Sequence, residues 1–286
     1  MSQLAEIRRS VESYRMTGFI TGALQEISAV KMQDLRRQFE QNALFFAGVR
    51  DVYAIVKAHA DDIIKKANET PKPQPRDIYI GLTSNRRFNG TLNRDIVRSL
   101  VAMLGTVENS DFLIIGLTGA QYLEETSVPD KVKRSAFDDD IPNTTELQNI
   151  LSLITEYRRV FVVYPKFVNP FRQDVVMTDI TQTPTVVTPV MKADYIFEPE
   201  IEGMLAFFEA QVRRALFERI LLETELARAA SRTIKMQNAR DRANNLRDGF
   251  QQDLRHEYAS QADIELLETF IGFSFWKHTS GNTNTV

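Results

Sequence analysis

The chain has 286 residues and a formal net charge of −3, and its content of 43% hydrophobic and 26% charged residues is ordinary for a protein that can bury one large core or two small ones. A slightly acidic chain gives no electrostatic reason to expect nucleic-acid binding, and the lack of cysteine excludes disulfides, thiolate metal sites and cysteine nucleophiles. The N-terminus lacks the apolar run of a signal peptide and the longest apolar stretches are strand-sized, so we expect a soluble protein whose link to a membrane runs through a partner.

The first predicted element is a long helix from Leu4 to about Ala67. No proline occurs in this segment, and apolar residues recur along it at steps of three and four. Only Gly18, Gly22 and Gly48 weaken the helical pattern. A glycine in a helix interior costs about 1 kcal/mol relative to alanine, and the pair four residues apart is tolerable if a neighbouring backbone comes close there.

The middle of the chain predicts an α/β domain. Three prolines between Glu69 and Pro75 end the helix and form a stiff linker. Buried strands are predicted at 77–83, 112–118 and 160–164, and helices at 93–104 and 146–157. Two further extended pieces, at 174–178 and 185–188, are predicted as edge strands or a hairpin. The alternation of strands and helices favours a small parallel or mixed sheet with helices on its faces.

A second long helix is predicted from about Leu205 to Phe275, because no proline follows Pro199. At ~1.5 Å per residue it would be on the order of 100 Å long, several times the width of a compact domain. Its apolar and small residues have the a/d spacing of a coiled coil, which Arg219 and Arg240 interrupt. The predicted seam residues are Leu205, Phe208, Val212, Ala215, Leu222, Leu226, Ala229, Thr233, Met236, Ala243, Leu246, Phe250 and Leu254. The alternative is a long helix laid on a domain core.

These elements predict an α/β fold in which the N- and C-terminal helices form a long antiparallel two-helix coiled coil and a Rossmann-like α/β domain is inserted between them. The corresponding division is an N-terminal coiled-coil helix at 1–68, an α/β domain at 76–199 and a C-terminal coiled-coil helix at 200–278. The first and last of these segments would form one discontinuous rod.

No group of residues in the sequence has the pattern of a catalytic, metal or cofactor site. The histidines have no ligand spacing and are predicted to be solvated; they are His59, His256 and His278. The loop from Thr83 to Gly90 occupies a place where α/β domains often bind a ligand, but it holds a single glycine, so a structural loop is favoured. Asp138–Asp140 is predicted to be a solvated loop rather than a cation site. We therefore expect no active site and no cofactor.

A basic run lies on the C-terminal helix. It comprises Arg228, Arg232, Lys235, Arg240, Arg242 and Arg247, interleaved with Asp241 and Asp248. Such a run predicts either a solvated face of the coiled coil or a basic sleeve for acidic loops of a surrounding partner.

Five patches in the right order carry a family resemblance. The segment Met236-Gln-Asn-Ala-Arg-Asp-Arg-Ala-Asn-Asn-Leu246 resembles the Met-Lys-Asn-Ala-Thr-Asp-Asn-Ala signature of the gamma subunit of rotary ATP synthases. The other matches are Glu6–Arg9, Thr17, Ile20–Thr21, Ala23, Ala29 and Lys31–Met32 near the N-terminus, and Ser84, Arg86, Gly90 and Asn93 after the first strand. Later matches are Val162–Asn169, Phe197–Pro199, Leu221–Arg232, Glu265–Glu268 and Gly272. The resemblance spans nearly the whole chain.

The resemblance implies a central rotor stalk without an active site of its own. The paired helices would turn inside a hexamer of nucleotide-binding alpha and beta subunits, and the α/β domain would meet an epsilon-type stalk subunit and the membrane c-ring. Rotation driven by protons or sodium ions would thereby be coupled to conformational cycling of the hexamer. The resemblance also implies indirect, peripheral attachment to the cytoplasmic face of a bacterial inner membrane. The residues that it implies in partner contacts are Thr17, Ile20, Thr21, Lys31, Arg86, Arg228, Arg232, Met236, Asn238, Asp241 and Glu265.

The chain departs from the family pattern at several positions. Where this chain has Phe19 and Gly22, the family usually has basic residues. Arg228 stands where the family has an acidic residue, and Arg87 stands where it has a glycine of a turn. Tyr258 and Ala259 stand where the family has an Arg-Gln pair. Three alternatives therefore stay open: a divergent synthase, a gamma-like shaft of a paralogous hydrolysing ATPase, and a non-rotary coiled-coil adaptor with a ligand-sensing α/β domain. An α/β enzyme has only the position of the 83–90 loop in its favour.

Overall fold

A computed structural model describes residues 3–64, 76–107, 109–126, 132–181 and 201–281 of the chain. The described chain forms two compact units: unit 1 comprises Met1–Gln25 and Met236–Val286, and unit 2 comprises Glu26–Lys235. The predicted linker at 69–75 and the predicted strand at 185–188 lie outside the described residues, and so does the side chain of Leu205. The three-part division at 1–68, 76–199 and 200–278 stays a prediction.

Unit 2 contains a five-stranded sheet. Its strands are β1 (Asp77–Leu82), β2 (Ser110–Ile115), β3 (Val132–Ser135), β4 (Arg159–Asn169) and β5 (Arg172–Asp179). The order across the sheet is β3-β2-β1-β4-β5, in which the first four strands are parallel and β5 is antiparallel to β4. The order 3-2-1-4 is the one that Rossmann-like domains share, so the predicted fold class is confirmed in this unit.

Helices cover both faces of the sheet. The helices of the chain are α1 (Gln3–Ile64), α2 (Leu92–Leu104), α3 (Leu117–Glu125), α4 (Thr144–Thr155) and α5 (Ile201–Gly281). On one face, alternate strand residues pack against α4 and α5; this core includes Ile78, Ile80, Leu82, Ile150, Ile154, Phe217 and Ile220. On the other face the intervening residues pack against α2 and α3; this core includes Tyr79, Phe112, Ile114, Ile96, Leu100 and Leu123. The period-two alternation along β1 therefore places its side chains in two separate cores.

The structure differs from the sequence prediction around the end of β2. That strand was predicted to reach residue 118, but it ends at Ile115 and α3 begins at Leu117. Gly116 makes the turn with φ of 113°, and a Cβ on it would lie 2.3 Å from the carbonyl oxygen of Thr83. The close approach of these two chain segments therefore requires glycine, which breaks the strand. The helix α3 and the short strand β3 were not predicted.

The start of α4 is set by a capping box. The side chain of Asn143 accepts a hydrogen bond from the backbone N–H of Glu146, and the Glu146 carboxylate accepts one from the backbone N–H of Asn143. These reciprocal bonds satisfy two backbone donors and begin the helix at Thr144, two residues earlier than predicted.

In unit 2, α1 and α5 pack against each other in antiparallel directions. One cluster contains Phe46, Tyr53, Val212 and Ala215, and a second contains Leu35, Leu226 and Ala229. Residue numbers therefore fall along α1 as they rise along α5. This pairing confirms the predicted antiparallel two-helix packing.

The arginine that interrupts the predicted seam in unit 2 is held by aromatic rings. The guanidinium carbon of Arg219 lies 5.4 Å from the ring centroid of Phe39 and 5.6 Å from that of Phe46. Cation–π contacts of this kind stabilise by about 0.5–1 kcal/mol at exposed sites and by more when desolvated. The two rings therefore help to hold Arg219 in the helix interface.

In unit 1 the same two helices are again antiparallel. Tyr14 stacks on Phe250 with their ring centroids 5.5 Å apart, and Nη2 of Arg8 donates a hydrogen bond of 2.5 Å to the hydroxyl of Tyr258. Tyr258 is one of the residues that depart from the family pattern, and here its hydroxyl joins the two helices.

The glycine pair of α1 is also explained in unit 1. Gly18 and Gly22 are both buried, and the atoms nearest to a Cβ built on them belong to the side chains of Asn244 and Arg240. The expectation that a neighbouring backbone approaches there is therefore wrong, since side chains fill the space.

Three predicted apolar positions do not lie in the helix interface. Leu246 of the predicted seam is exposed, and so are Ile20 and Ile27 of α1. Met236 and Ala243 are buried, as the seam predicts. In the described residues, no helix is both long and apolar enough to cross a membrane.

Candidate functional site: a charged joint, its loop and the exposed end of α5

The loop after β1 is fixed from one side by Asp140. Its Oδ1 atom accepts hydrogen bonds from the hydroxyl of Ser84 at 2.8 Å and from the backbone N–H of Asn85 at 2.9 Å. The Asp140 side chain is fully buried. The prediction of a solvated loop at Asp138–Asp140 is therefore wrong for Asp140, because its carboxylate holds the 83–90 loop.

The same loop is fixed from the other side by α5, through Asn89. The hydroxyl of Ser231 donates to the carbonyl oxygen of Asn89 at 3.2 Å, and Nη2 of Arg232 donates to its Oδ1 at 2.8 Å. Burial lowers the pKa of Arg232 from its ordinary value. Gly90 has φ of 64°, and a Cβ there would lie 3.0 Å from the Lys235 side chain. The positive φ favours glycine at this position, and the contact with Lys235 places the loop directly against α5.

A buried ion pair lies beneath the loop and joins three elements. Nη1 of Arg228 donates to Oε1 of Glu225 at 2.5 Å, and Nη2 donates to the carbonyl oxygen of Leu82 at the end of β1 at 3.0 Å. Nζ of Lys31 on α1 lies 3.3 Å from the other oxygen of Glu225. We call Lys31, Glu225, Arg228 and the Leu82 carbonyl the charged joint.

The charged joint corrects the prediction for Arg228. Its side chain is only 3% exposed, so it is neither part of a solvated face nor available on the surface for a partner. The acidic residue of the family pattern is replaced here by a base whose charge is compensated by Glu225 within the same helix. The contact with Leu82 is separated by 146 positions in sequence, so no local pattern could indicate it.

The other predicted contact residues are divided between surface and interior. The exposed ones are Thr17, Ile20, Asn238, Asp241 and Glu265. The partly buried ones are Thr21, Lys31 and Arg232, and Met236 is buried. Arg86 is half exposed, and its guanidinium pairs with Asp139 at 2.8 Å and with Asp140 at 3.6 Å. The hydroxyls of Thr17 and Thr21 donate to backbone carbonyls one turn earlier in α1. A partner contact at the surface positions stays a prediction, whereas Met236 has almost no surface to offer.

The last part of α5 is exposed on all its sides. Every residue from Tyr258 to Trp276 is exposed. The large apolar side chains in this segment are Ile264, Leu266, Leu267, Phe270, Ile271, Phe273, Phe275 and Trp276. At about 100° per residue they project around most of the helix circumference rather than along one stripe. This feature was not predicted, although the density of aromatic residues without a heptad spacing is visible in the sequence.

The described residues contain no group of three or more histidine, cysteine or acidic side chains placed to hold a metal ion. His256 is exposed, and the side chains of His59 and His278 lie outside the described residues.

The architecture defines a class of protein in which two long terminal helices pair and carry an inserted Rossmann-like sheet. Comparisons with known proteins agree with this class. The family model described as ATP synthase matches residues 3–274. The chain therefore belongs to the ATP synthase family, as a divergent gamma chain, the subunit of the central stalk.

The similarity to individual relatives is low in identity and high in coverage. The ATP synthase gamma chain of Psychrobacter arcticus is 25% identical over 265 residues, which are 86% of this chain and 89% of that one. The gamma chain of Limosilactobacillus fermentum is 22% identical over 297 residues, with 92% and 94% covered.

Two solved structures share the fold. A chain of the central stalk and c-ring of the Tetrahymena thermophila mitochondrial ATP synthase has a TM-score of 0.59 and 22% identity, covering 77% of this chain and 99% of its own. A chain of the Euglena gracilis mitochondrial ATP synthase has a TM-score of 0.55 and 14% identity, covering 90% and 98%.

Proposed function

We propose that this gamma chain is a rotor, which couples ion-driven rotation of a membrane c-ring to conformational cycling of a hexamer of alpha and beta subunits. The observation that carries the proposal is the exposed end of α5. An exposed large apolar side chain gains about 1.5–3 kcal/mol when it is fully buried. A partner that touches one side of a helix would cover one stripe of these side chains, whereas apolar residues around the circumference favour a partner that encloses the helix. A ring of subunits has this geometry.

The surface of the paired helices supports coupling by rotation. In unit 1, Thr17 and Ile20 present a hydroxyl and an apolar surface on α1, and Asp241 presents a negative charge on α5. A rotor can drive surrounding subunits through their states only if it binds those states with different free energies. Because the sides of the helix pair differ chemically, each surrounding subunit would meet a different side as the pair turns, and its states would be bound with different free energies.

The remaining parts of the assignment are proposed from the family. The inserted α/β domain, which we propose to be the segment 76–199, would contact the c-ring and an epsilon-type subunit. The chain would then be held at the cytoplasmic face of a bacterial inner membrane through its complex. The driving ion would be a proton or a sodium ion, and the ring sequence encoded beside this chain would distinguish them.

Co-purification tests the rotor assignment. A tagged chain is expected to recover a hexamer of nucleotide-binding subunits, and a variant with Phe270→Ser and Phe273→Ser is expected to recover much less. Phe171→Ser is the matched control, because Phe171 is 81% exposed on the β4–β5 hairpin and lies outside the end of α5. Failure of the unaltered chain to recover any hexamer would contradict the proposal and favour the adaptor alternative.

The same complex distinguishes a synthase from a hydrolysing paralogue. After reconstitution into vesicles, a synthase is expected to make ATP when an ion gradient is imposed. A complex that hydrolyses ATP but makes none under any imposed gradient would identify the paralogous ATPase.

A further inference from the structure

A row of buried residues on α5 runs along the sheet to the end of β1. Its members are spaced by four and three residues: Phe217, Leu221, Thr224, Arg228 and Ser231. Phe217 and Leu221 belong to the core on one face of the sheet. Arg228 donates to the carbonyl oxygen of Leu82, the last residue of β1, at 3.0 Å. Thr224 stands between them in the row, so it lies where the apolar core gives way to the polar end of the strand.

This end of β1 is the point at which the order of strands in the sheet reverses. After β1 the chain adds β2 and β3 on one side, and it then returns to place β4 on the other side. In open α/β sheets, ligands bind in the crevice outside the carboxyl ends of the strands at such a switch point. Here α5 lies over that position, and Thr224 and Arg228 are only 1% and 3% exposed. A ligand that reaches both side chains must therefore be small.

Two polar atoms of this row have no hydrogen-bond partner among the described residues. They are Oγ1 of Thr224 and Nε of Arg228, and both atoms are buried. A threonine in a helix can donate to the carbonyl oxygen one turn earlier, as Thr233 does to Ala229 at 2.9 Å, but Thr224 makes no such bond. A long side chain in a helix points back toward the residue one turn earlier, so these two donors can reach one common ligand.

The charged groups around these donors carry an excess of positive charge. At the surface, Arg86 pairs with Asp139, and the two charges neutralise each other. In the interior, the described charged side chains that interact with one another comprise three cations and two carboxylates. They are Lys31, Arg228 and Arg232, and Glu225 and Asp140. Burial of unbalanced charge is unfavourable, so one further negative charge would stabilise this group of side chains.

We propose that Thr224 and Arg228 bind a small monovalent anion, of the class of chloride, at the carboxyl end of β1. The hydroxyl of Thr224 and the Nε–H of Arg228 donate to the anion, and its charge balances the excess cation of the interior group. A halide is favoured over phosphate, because the oxygens of a buried phosphate would need more donors than the two that are unpartnered here. The proposal is independent of the rotor assignment.

Thermal unfolding of the full-length chain in sodium chloride and in sodium gluconate, at equal ionic strength, tests the site. Gluconate is too large for an enclosed position. The melting temperature is expected to be about 2–4 °C higher in chloride, when chloride is present at a few times its Kd. Thr224→Val keeps the shape of the side chain and removes the donor, so the difference between the salts is expected to vanish. Thr233→Val is the matched control and should retain the difference, because its hydroxyl already has a partner.

The same variant reports a site without an anion. Thr224→Val would then only remove an unsatisfied buried hydroxyl, and the melting temperature would rise equally in both salts. That result, or equal melting of the unaltered chain in chloride and gluconate, would overturn the proposal and leave the two donors to water. Bromide, a heavier halide, locates the site by anomalous diffraction from crystals of the full-length chain, and it decides the question even if Thr224→Val does not fold. A bromide peak in contact with Thr224 and Arg228 is expected, and bromide bound only elsewhere would overturn the proposal.

Discussion

The guanidinium of Arg240 packs on the backbone of Gly22. A Cβ on residue 22 would lie 3.4 Å from Nε of Arg240 and 3.5 Å from its Cζ, so the missing side chain of one helix makes room for the arginine of the other. The family pattern has a basic residue at position 22. In this chain the positive charge at that level of unit 1 comes from the opposite helix instead.

This relationship predicts opposite effects for two substitutions of Gly22. Gly22→Ala places a Cβ at ordinary contact distance and removes a glycine from a helix, so we expect stabilisation by up to about 1 kcal/mol. Gly22→Lys brings a second cation against Arg240, so we expect a lower free energy of unfolding. Adding Arg240→Thr to Gly22→Lys removes one of the two cations and should restore the free energy of unfolding. Urea unfolding measures both effects.

Gly48 provides the matched control for these substitutions. It lies on the same helix, and a Cβ there would meet no atom within 4 Å. Alanine and lysine should therefore both be tolerated at position 48. Equal behaviour of lysine at positions 22 and 48 would show that the Gly22–Arg240 contact does not constrain the helix pair.

Replacing Arg228 by methionine should destabilise unit 2 by about 3–5 kcal/mol. The substitution removes the nearest charged partner of the buried Glu225 and leaves the Leu82 carbonyl without the donor that Arg228 provides. Adding Glu225→Gln should recover part of the loss, because an unbalanced buried charge is then removed. Arg242→Met on the exposed face of α5 is the control, and thermal unfolding of the three variants is the measurement. A loss below about 1 kcal/mol for Arg228→Met would mean that the charged joint does not hold the sheet on α5.

Glu223 makes stability depend on pH. It is buried beside Tyr164, whose hydroxyl donates to it at 3.3 Å, and burial raises the pKa of Glu223 above its ordinary value although Lys166, Tyr164 and Arg219 act in the opposite direction. The folded state therefore favours the protonated form. The stability that this group contributes is full at low pH and is lost as pH rises through the raised pKa.

Glu223→Gln should accordingly raise the melting temperature at about pH 7 and have little effect at about pH 4. The gain near neutrality is expected to be about 1 kcal/mol, a common size for a single buried substitution. Glu268→Gln on the exposed end of α5 is the control. A gain for Glu223→Gln that is the same at both pH values would exclude the titration of Glu223 as its cause.

Gly116→Ala should prevent the turn between β2 and α3 from packing against Thr83, the residue that follows β1. A Cβ would lie 2.3 Å from a backbone oxygen, and φ of 113° is disfavoured for alanine in any surroundings. We expect a loss of more than about 3 kcal/mol or failure to fold, measured by circular dichroism and thermal unfolding. Gly105→Ala, which meets no atom within 4 Å, should be nearly neutral. Similar melting temperatures for the two variants would contradict this reading of the turn.

Periodicity was sufficient to predict the long helices and the central strands. Leu147, Ile150 and Ile154 face the sheet core as their helical spacing indicates, and the antiparallel pairing of α1 with α5 agrees with the predicted seam. The glycine that ends β2 was visible in the sequence. Its consequence was missed because the turn depends on the approach of Thr83, which is distant along the chain.

The candidate site was predicted less well because its contacts are non-local. The charge and spacing of Arg228 predict a solvated face or a basic sleeve for a partner, whereas the side chain is buried between Glu225 of the same helix and a carbonyl on a distant strand. Asp140 was read as part of a solvated acidic run, but its hydrogen bonds reach Ser84 and Asn85. The 83–90 loop is held at Asn89 by Ser231 on α5, and no local motif encodes that contact.

The exposed end of α5 gives the chain an optical reporter of its own assembly. Trp276 is the single tryptophan of the sequence and is 66% exposed near the end of the described helix. An indole in water emits at longer wavelength than one in an apolar enclosure. Insertion of this helix into a surrounding ring should therefore shift the tryptophan emission to the blue, and in partners lacking tryptophan the shift could be followed in real time without any label.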